Sequence, residues 1–107
     1  MKISNETDRQ TVITTFEVTP GTCQDLLELL QSAYDEVIRH QHGFIGGAIH
    51  VNDAETRICS YSQWENREDF QAMLRTPEMR RRNRRINELC KGFAPVMYDV
   101  VSTYEKG

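Results

Sequence analysis

Residues 44–64 read FIGGAIHVNDAETRICSYSQW, and the fold turns on this stretch. Its two ends, Phe44 to Val51 and Thr56 to Trp64, are strand-length runs rich in β-branched and aromatic side chains. Between them, Asn52-Asp53-Ala54-Glu55 is turn chemistry, because Asn and Asp side chains bond their own backbone and tolerate tight dihedrals. An antiparallel hairpin is predicted. Gly46 and Gly47 interrupt the first strand, the mark of a bulge or of close backbone approach. In the second strand Ile58, Ser60, Ser62 and Trp64 share one face.

Upstream of the hairpin, TVITTFEV from Thr11 to Val18 alternates as a strand, with Val12, Thr14, Phe16 and Val18 on one side. Thr19-Pro20-Gly21-Thr22 then opens a helix, with Thr22 and Asp25 at capping-box separation. Leu26, Leu27, Leu29, Leu30, Ala33, Tyr34, Val37 and Ile38 carry its buried stripe to about His40, and Gly43 ends it. Downstream, Asn66 heads a short helix through Leu74, and Thr76-Pro77 restarts helix to about Cys90. A last strand is expected from about Pro95 to Tyr104.

The order βαββαβ predicts an α+β, ferredoxin-like fold: an antiparallel sheet with its helices on one face. Residues 1–10 are expected to form a flexible N-terminal arm, and residues 11–107 a single domain, which suits a chain of 107 residues. Simple alternation puts Ile13, Ile45, Ile49, Val51, Cys59, Tyr61, Met97 and Val101 on the uncovered sheet face. Soluble monomers seldom expose so large an apolar patch, so a homodimer through the sheets is expected.

Composition narrows the function. The net charge of -3 lacks the basic balance of nucleic-acid modules, so no nucleic-acid partner is expected. Three widely spaced cysteines, Cys23, Cys59 and Cys90, give neither a disulfide framework nor a zinc motif, which suits a reducing cytoplasm. The polar N-terminus carries no apolar leader core and no run reaches membrane-span length, so a soluble, cytoplasmic protein away from membranes is expected. HEXXH, glycine-rich phosphate loops and GxSxG are all missing, so no metal, nucleotide or activated nucleophile is implied.

Between sheet and helices, alternation gathers Thr14, Phe16, His50, Ser60, Ser62 and Trp64. Hydroxyls, an imidazole and an indole N–H among apolar walls are the makings of a small-molecule pocket. The same residues also suit a core whose polar groups are simply paired, and Trp64 suits plain packing. His40 and His42, at a helix end, read as structural. The run Arg80-Arg81-Arg82-Asn83-Arg84-Arg85 reads mostly as a solvated helix face, with Asn83 on the inward stripe between Met79 and Ile86.

Several segments together resemble the antibiotic biosynthesis monooxygenase family. They are His42-Gly43-Phe44, Ile49-His50, Tyr61-Ser62-Gln63-Trp64, Arg67-Glu68-Asp69-Phe70 and Pro95-Val96-Met97-Tyr98-Asp99-Val100-Val101. The resemblance implies a dimeric α+β barrel that oxygenates aromatic polyketides of the anthrone type, with dioxygen and without metal, flavin or haem. Trp64 matches the family's pocket tryptophan and Arg84 lies at a spacing similar to a family pocket arginine; the sequence's own pattern adds Ser60, Thr14 and His50 around the substrate, with Phe16, Tyr34, Ser62, Phe70 and Asn83 binding it. Trp64 would stack on the rings, Ser60 and Thr14 would bond substrate oxygens, Arg84 would favour an anionic oxygen, and His50 would move a proton. Thr14 and Ser60 stand where family members often carry asparagine, and a hydroxyl is shorter than an amide and reaches a different point. A polyketide cyclase and a non-catalytic polyketide-binding protein of the same fold are the competing readings.

Overall fold

The computed structural model describes residues 9–107. Most of the expected N-terminal arm thus lies outside the described residues, and Gln10 already belongs to the first strand. The elements run β1 (Gln10–Glu17), α1 (Pro20–Glu36), a single 3-10 turn (Ile38–His40), β2 (Phe44–Val51), β3 (Arg57–Trp64), α2 (Arg67–Arg75), α3 (Pro77–Leu89) and β4 (Gly92–Tyr98). The four strands form one antiparallel sheet in the order β2-β3-β1-β4, the ferredoxin-like arrangement. Among the described residues, no helix is long and apolar enough to cross a membrane.

Local chemistry explains the boundaries. α1 starts with Pro20 in its first turn and Thr19 at the N-cap, so the expected Thr22–Asp25 capping box is not the start signal. Its end also comes early: Val37, at φ -126°, leaves the helix, and the chain reaches β2 through the 3-10 turn. α3 begins as expected at Thr76-Pro77, where Thr76 Oγ1 accepts from the Met79 N–H at 3.3 Å. Gly43 links helix to strand at φ 83°, and its carbonyl accepts from the Glu65 N–H at 2.7 Å.

All helices cover one sheet face. At one end Val12, Ala33, Trp64, Phe70, Met73 and Met79 form a buried cluster, and at the other Phe16, Leu26, Leu30, Ile58 and Ile86 form a second. The predicted inward faces of β1 and β3 agree with this. Those of β2 and β4 do not.

In β2 the register slips between Phe44 and Gly46, a bulge at the predicted glycines. An extra residue reverses the inside–outside alternation beyond it. Gly47, Ile49 and Val51 therefore lie opposite Ser62, Ser60 and Ile58 on the helix side. Ala48 and His50 lie opposite Tyr61 and Cys59 on the open face. The expectation of His50 in the core and of Ile49 and Val51 outside is thus reversed. In β4, Met97 pairs with Val12 and faces the helices, whereas Val96 and Tyr98 take the open side, 44% and 48% exposed. The strand also begins and ends earlier than expected, leaving Val101 beyond the sheet and 92% exposed. The open face therefore carries Ile13, Ala48, Cys59, Tyr61, Val96 and Tyr98.

Candidate functional site

Polar side chains converge on the helix side of the sheet centre. The β1–β3 register sets Thr14 opposite Ser60 and Val12 opposite Ser62, so these hydroxyls share a face with Phe16 and Ile58. From above, α1 brings down Tyr34, whose Oη lies 2.7 Å from Ser60 Oγ. Ser62 Oγ accepts the indole N–H of Trp64 at 3.0 Å, a bond allowed because residues two apart in a strand point the same way. Ser60 and Ser62 are both buried, and no buried side-chain nitrogen or oxygen among the described residues lacks a partner. Burial pushes the Tyr34 phenol above its ordinary pKa, and its hydrogen bonds to Ser60 and Ser62 pull the other way. Tyr34 therefore keeps its proton at neutral pH.

These groups border a cavity of about 60 Å³ under α1 and α3. Its apolar walls include Leu30, Ala33, Met73, Leu74, Ile86 and Phe93. Beside it, between α1 and the bulged half of β2, runs an open groove of about 740 Å³ lined by Gln31, Asp35, Arg39, Phe44 and residues 45–49. Tyr34 borders both. Its ring lies against Gly47, where a Cβ would come 2.8 Å from Tyr34 Cε1. Phe44 meets the same ring edge-on at a centroid distance of 6.2 Å.

Of the residues singled out in the sequence, Thr14, Phe16, Tyr34 and Ser60 line the cavity, joined by Ser62, Phe70 and Asn83. Trp64 is fully buried and does not line it. Its indole sits behind Ser62, edge-on to Phe44 and Phe70 at 5.4 and 5.8 Å. Arg84 is exposed, because Met79, Asn83 and Ile86 hold the inward stripe of α3 and the next residue is turned about 100° away. The arginine that turns towards α1 is Arg82, which donates to Ser32 Oγ at 2.9 Å and pairs with Glu36. His50 lies on the opposite sheet face, removed from the cavity by the bulge.

Sequence reasoning missed two features. One is Gly47 as the seat of the Tyr34 ring, although the paired glycines had signalled a close approach. The other is the Ser62–Trp64 bond, which consumes the indole N–H expected to face a ligand. Among the described residues, no three His, Cys, Asp or Glu side chains gather as a metal site.

Comparison with known proteins adds three findings. Residues 9–85 match the antibiotic biosynthesis monooxygenase family. The tetracenomycin-F1 monooxygenase of Streptomyces glaucescens is 30% identical over 77 residues, covering 72% of this chain and 69% of that protein. Two solved structures share the fold. A point mutant of SnoaB, a cofactor-independent oxygenase from Streptomyces nogalater, superposes with a TM-score of 0.81 at 14% identity, covering 92% of this chain and 99% of that one. A monooxygenase from the gene ActVA-Orf6 of Streptomyces coelicolor, solved with the ligand nanaomycin D, gives a TM-score of 0.81 at 22% identity and covers 92% of each chain.

Proposed function

The chain belongs to the antibiotic biosynthesis monooxygenase family, and on that premise we propose that it oxygenates a flat, electron-rich phenol, an anthrone-type aromatic polyketide, using dioxygen alone. The observation that carries this reading is the hydroxyl cluster of Tyr34, Ser60 and Ser62 between aromatic and aliphatic walls. Few oriented polar groups in an apolar pocket suit a polycycle with oxygens at its rim.

Triplet dioxygen reacts slowly with closed-shell molecules, but a phenolate or enolate donates an electron to it directly. In the net reaction a ring methylene gains one oxygen atom and loses two hydrogens, which leave with the second oxygen as water. The substrate supplies all four electrons. The protein binds, orients and excludes water, tasks of positioning and electrostatic stabilisation. Ser60 and Thr14 bond the substrate oxygens, Phe16 and Phe70 pack on its rings, and Asn83 offers an amide from α3. Trp64 acts as a positioning residue, aiming Ser62 rather than stacking on the substrate. On this reading residues 11–107 work as one domain, paired with a second copy through the face carrying Ile13, Tyr61, Val96 and Tyr98.

The test is incubation of purified, metal-stripped protein with an anthrone in labelled dioxygen. One labelled atom is expected in the product and one in water, with turnover lowered in Ser60→Ala and Thr14→Val. A rearranged product without oxygen uptake identifies a cyclase. Tight binding without turnover, in air and with added reduced flavin, identifies a binding protein. Either result overturns the reading.

A further inference from the structure

The cavity and the groove meet at a single side chain. The cavity holds about 60 Å³, room for about two water molecules, whereas ligand sites typically span about 300–1,000 Å³. The groove, at about 740 Å³, lies within that range but is open to solvent and contains neither serine. Tyr34 is the residue that borders both and bonds the serine that the cavity offers to a ligand.

Three features point to a movable wall rather than a fixed core residue. First, Tyr34 is held only by neutral hydroxyls, Ser60 at 2.7 Å and Ser62, and each such bond contributes only about 1 kcal/mol net. Second, the ring rests on Gly47, which presents no side chain to hold it from below. Third, the groove on its other flank has space for a ring that swings outward. The bond that latches Tyr34 is also a phenol bonding a serine. That is the interaction the substrate requires.

We propose that Tyr34 is the entry gate of the site: its ring swings off Ser60 into the groove, joins the two voids, and yields Ser60 to the phenolic oxygen of the incoming substrate. The protein's own phenol thus holds the place of the substrate's, so Ser60 exchanges one phenol for another and no buried hydroxyl is left bare. This inference rests on the reading of the substrate as a planar phenol. It makes Tyr34 a specificity-determining residue, since a ligand that cannot replace its hydrogen bond does not hold the gate open.

Two readouts test the gate separately from the chemistry. The first needs no ligand: collisional quenching of the sole tryptophan, Trp64, by acrylamide, whose approach to the fully buried indole behind Ser62 requires the Tyr34 wall to open. Tyr34→Phe keeps the ring and removes the latch, and is expected to raise the quenching rate by at least about five-fold, the equivalent of losing one neutral hydrogen bond. Gly47→Ala pushes the ring from below and is expected to act in the same direction. Leu89→Ala, which loosens the other core cluster, is the control and should leave quenching unchanged.

The second readout is stopped-flow binding of dihydroxyanthraquinone, an unreactive planar phenol. Tyr34→Phe should speed both association and release, and an anthraquinone without hydroxyls should bind all forms more weakly. Unchanged quenching in Tyr34→Phe and Gly47→Ala, or equal increases in Leu89→Ala, overturns the gate. Quenching that responds as expected in a protein that neither binds the quinone nor consumes oxygen overturns the proposed substrate class and leaves the gate standing.

Discussion

Replacing Ser62 by alanine isolates the bond that aims Trp64. Trp64 is fully buried, and its Nε1–H donates to Ser62 Oγ at 3.0 Å. Alanine fits the strand but orphans the indole donor where water cannot reach it. The cost of an orphaned buried donor is about 1–3 kcal/mol, and the complete burial of Trp64 places the expected value at about 2 kcal/mol. For a 107-residue chain that corresponds to a fall in Tm of about 9 °C. In a Trp64→Phe background the donor is already gone, so Ser62→Ala should then cost only about 0.5 kcal/mol. The contact between Ser62 and Tyr34 is present in both backgrounds and cancels from the cycle. Urea unfolding followed by far-ultraviolet circular dichroism measures all four forms without relying on the tryptophan. Equal costs in the two backgrounds, to within about 0.3 kcal/mol, would show that Ser62 does not hold the indole and would remove the positioning role of Trp64.

Three further outcomes are expected. Gly43→Ala forces φ 83° on an L side chain and drives its Cβ into the Asp69 carboxylate, so it should cost about 2 kcal/mol or more in a urea melt. The raised pKa of Tyr34 means that the folded state holds this proton more tightly than the unfolded chain, so its contribution is complete below the ordinary value of 10.0 and is lost as pH rises through the higher folded value. Tyr34→Phe should therefore flatten the alkaline fall in stability relative to the parent, which thermal melts between neutral and strongly alkaline pH will measure. Val96→Glu with Tyr98→Glu places charge on the open sheet face and should convert a dimer to monomer in sedimentation analysis, while His50→Ala leaves the pH profile of turnover unchanged.

Most of the element order was legible because it is written in local periods. The alternation in β1 and β3 put Val12, Thr14, Phe16, Ile58, Ser60, Ser62 and Trp64 on one face, and the register confirms each of them there. The helix start at Thr76-Pro77 was legible because caps and prolines act within a single turn, and the one at Asn66 was legible too, although its side chain bonds the Asp69 carboxylate rather than a backbone N–H. The short β4 was less so. Periodicity continues past Tyr98, but a strand lasts only as long as a neighbour bonds it, and among the described residues the pairing of β4 with β1 ends at Thr11 opposite Tyr98.

The candidate site divides along the same line. Thr14, Ser60 and Ser62 could be grouped from strand alternation alone, and Tyr34 and Asn83 from helical stripes. His50 could not be placed, because one extra residue, Ile45 between Phe44 and Gly46, inverts every side chain after it, and the neighbouring glycines mark the bulge without stating which residue goes unpaired. Arg84 is exposed and Trp64 lies behind Ser62 rather than on the cavity wall, and neither was legible: the family resemblance supplies residue types at positions, and alternation gives the sheet face of Trp64 but not its distance from the cavity.

Spacing and residue type alone thus determined the strands, the helices and the inward faces of β1 and β3, since those follow from the geometry of a few consecutive residues. Only the folded chain decided which groups bond one another: Tyr34 with Ser60 across 26 positions, the indole with Ser62, and the Tyr34 ring with Gly47. Hydrogen bonds and ring contacts depend on distances of a few ångströms between separate elements, and those distances exist only once helix and sheet have packed.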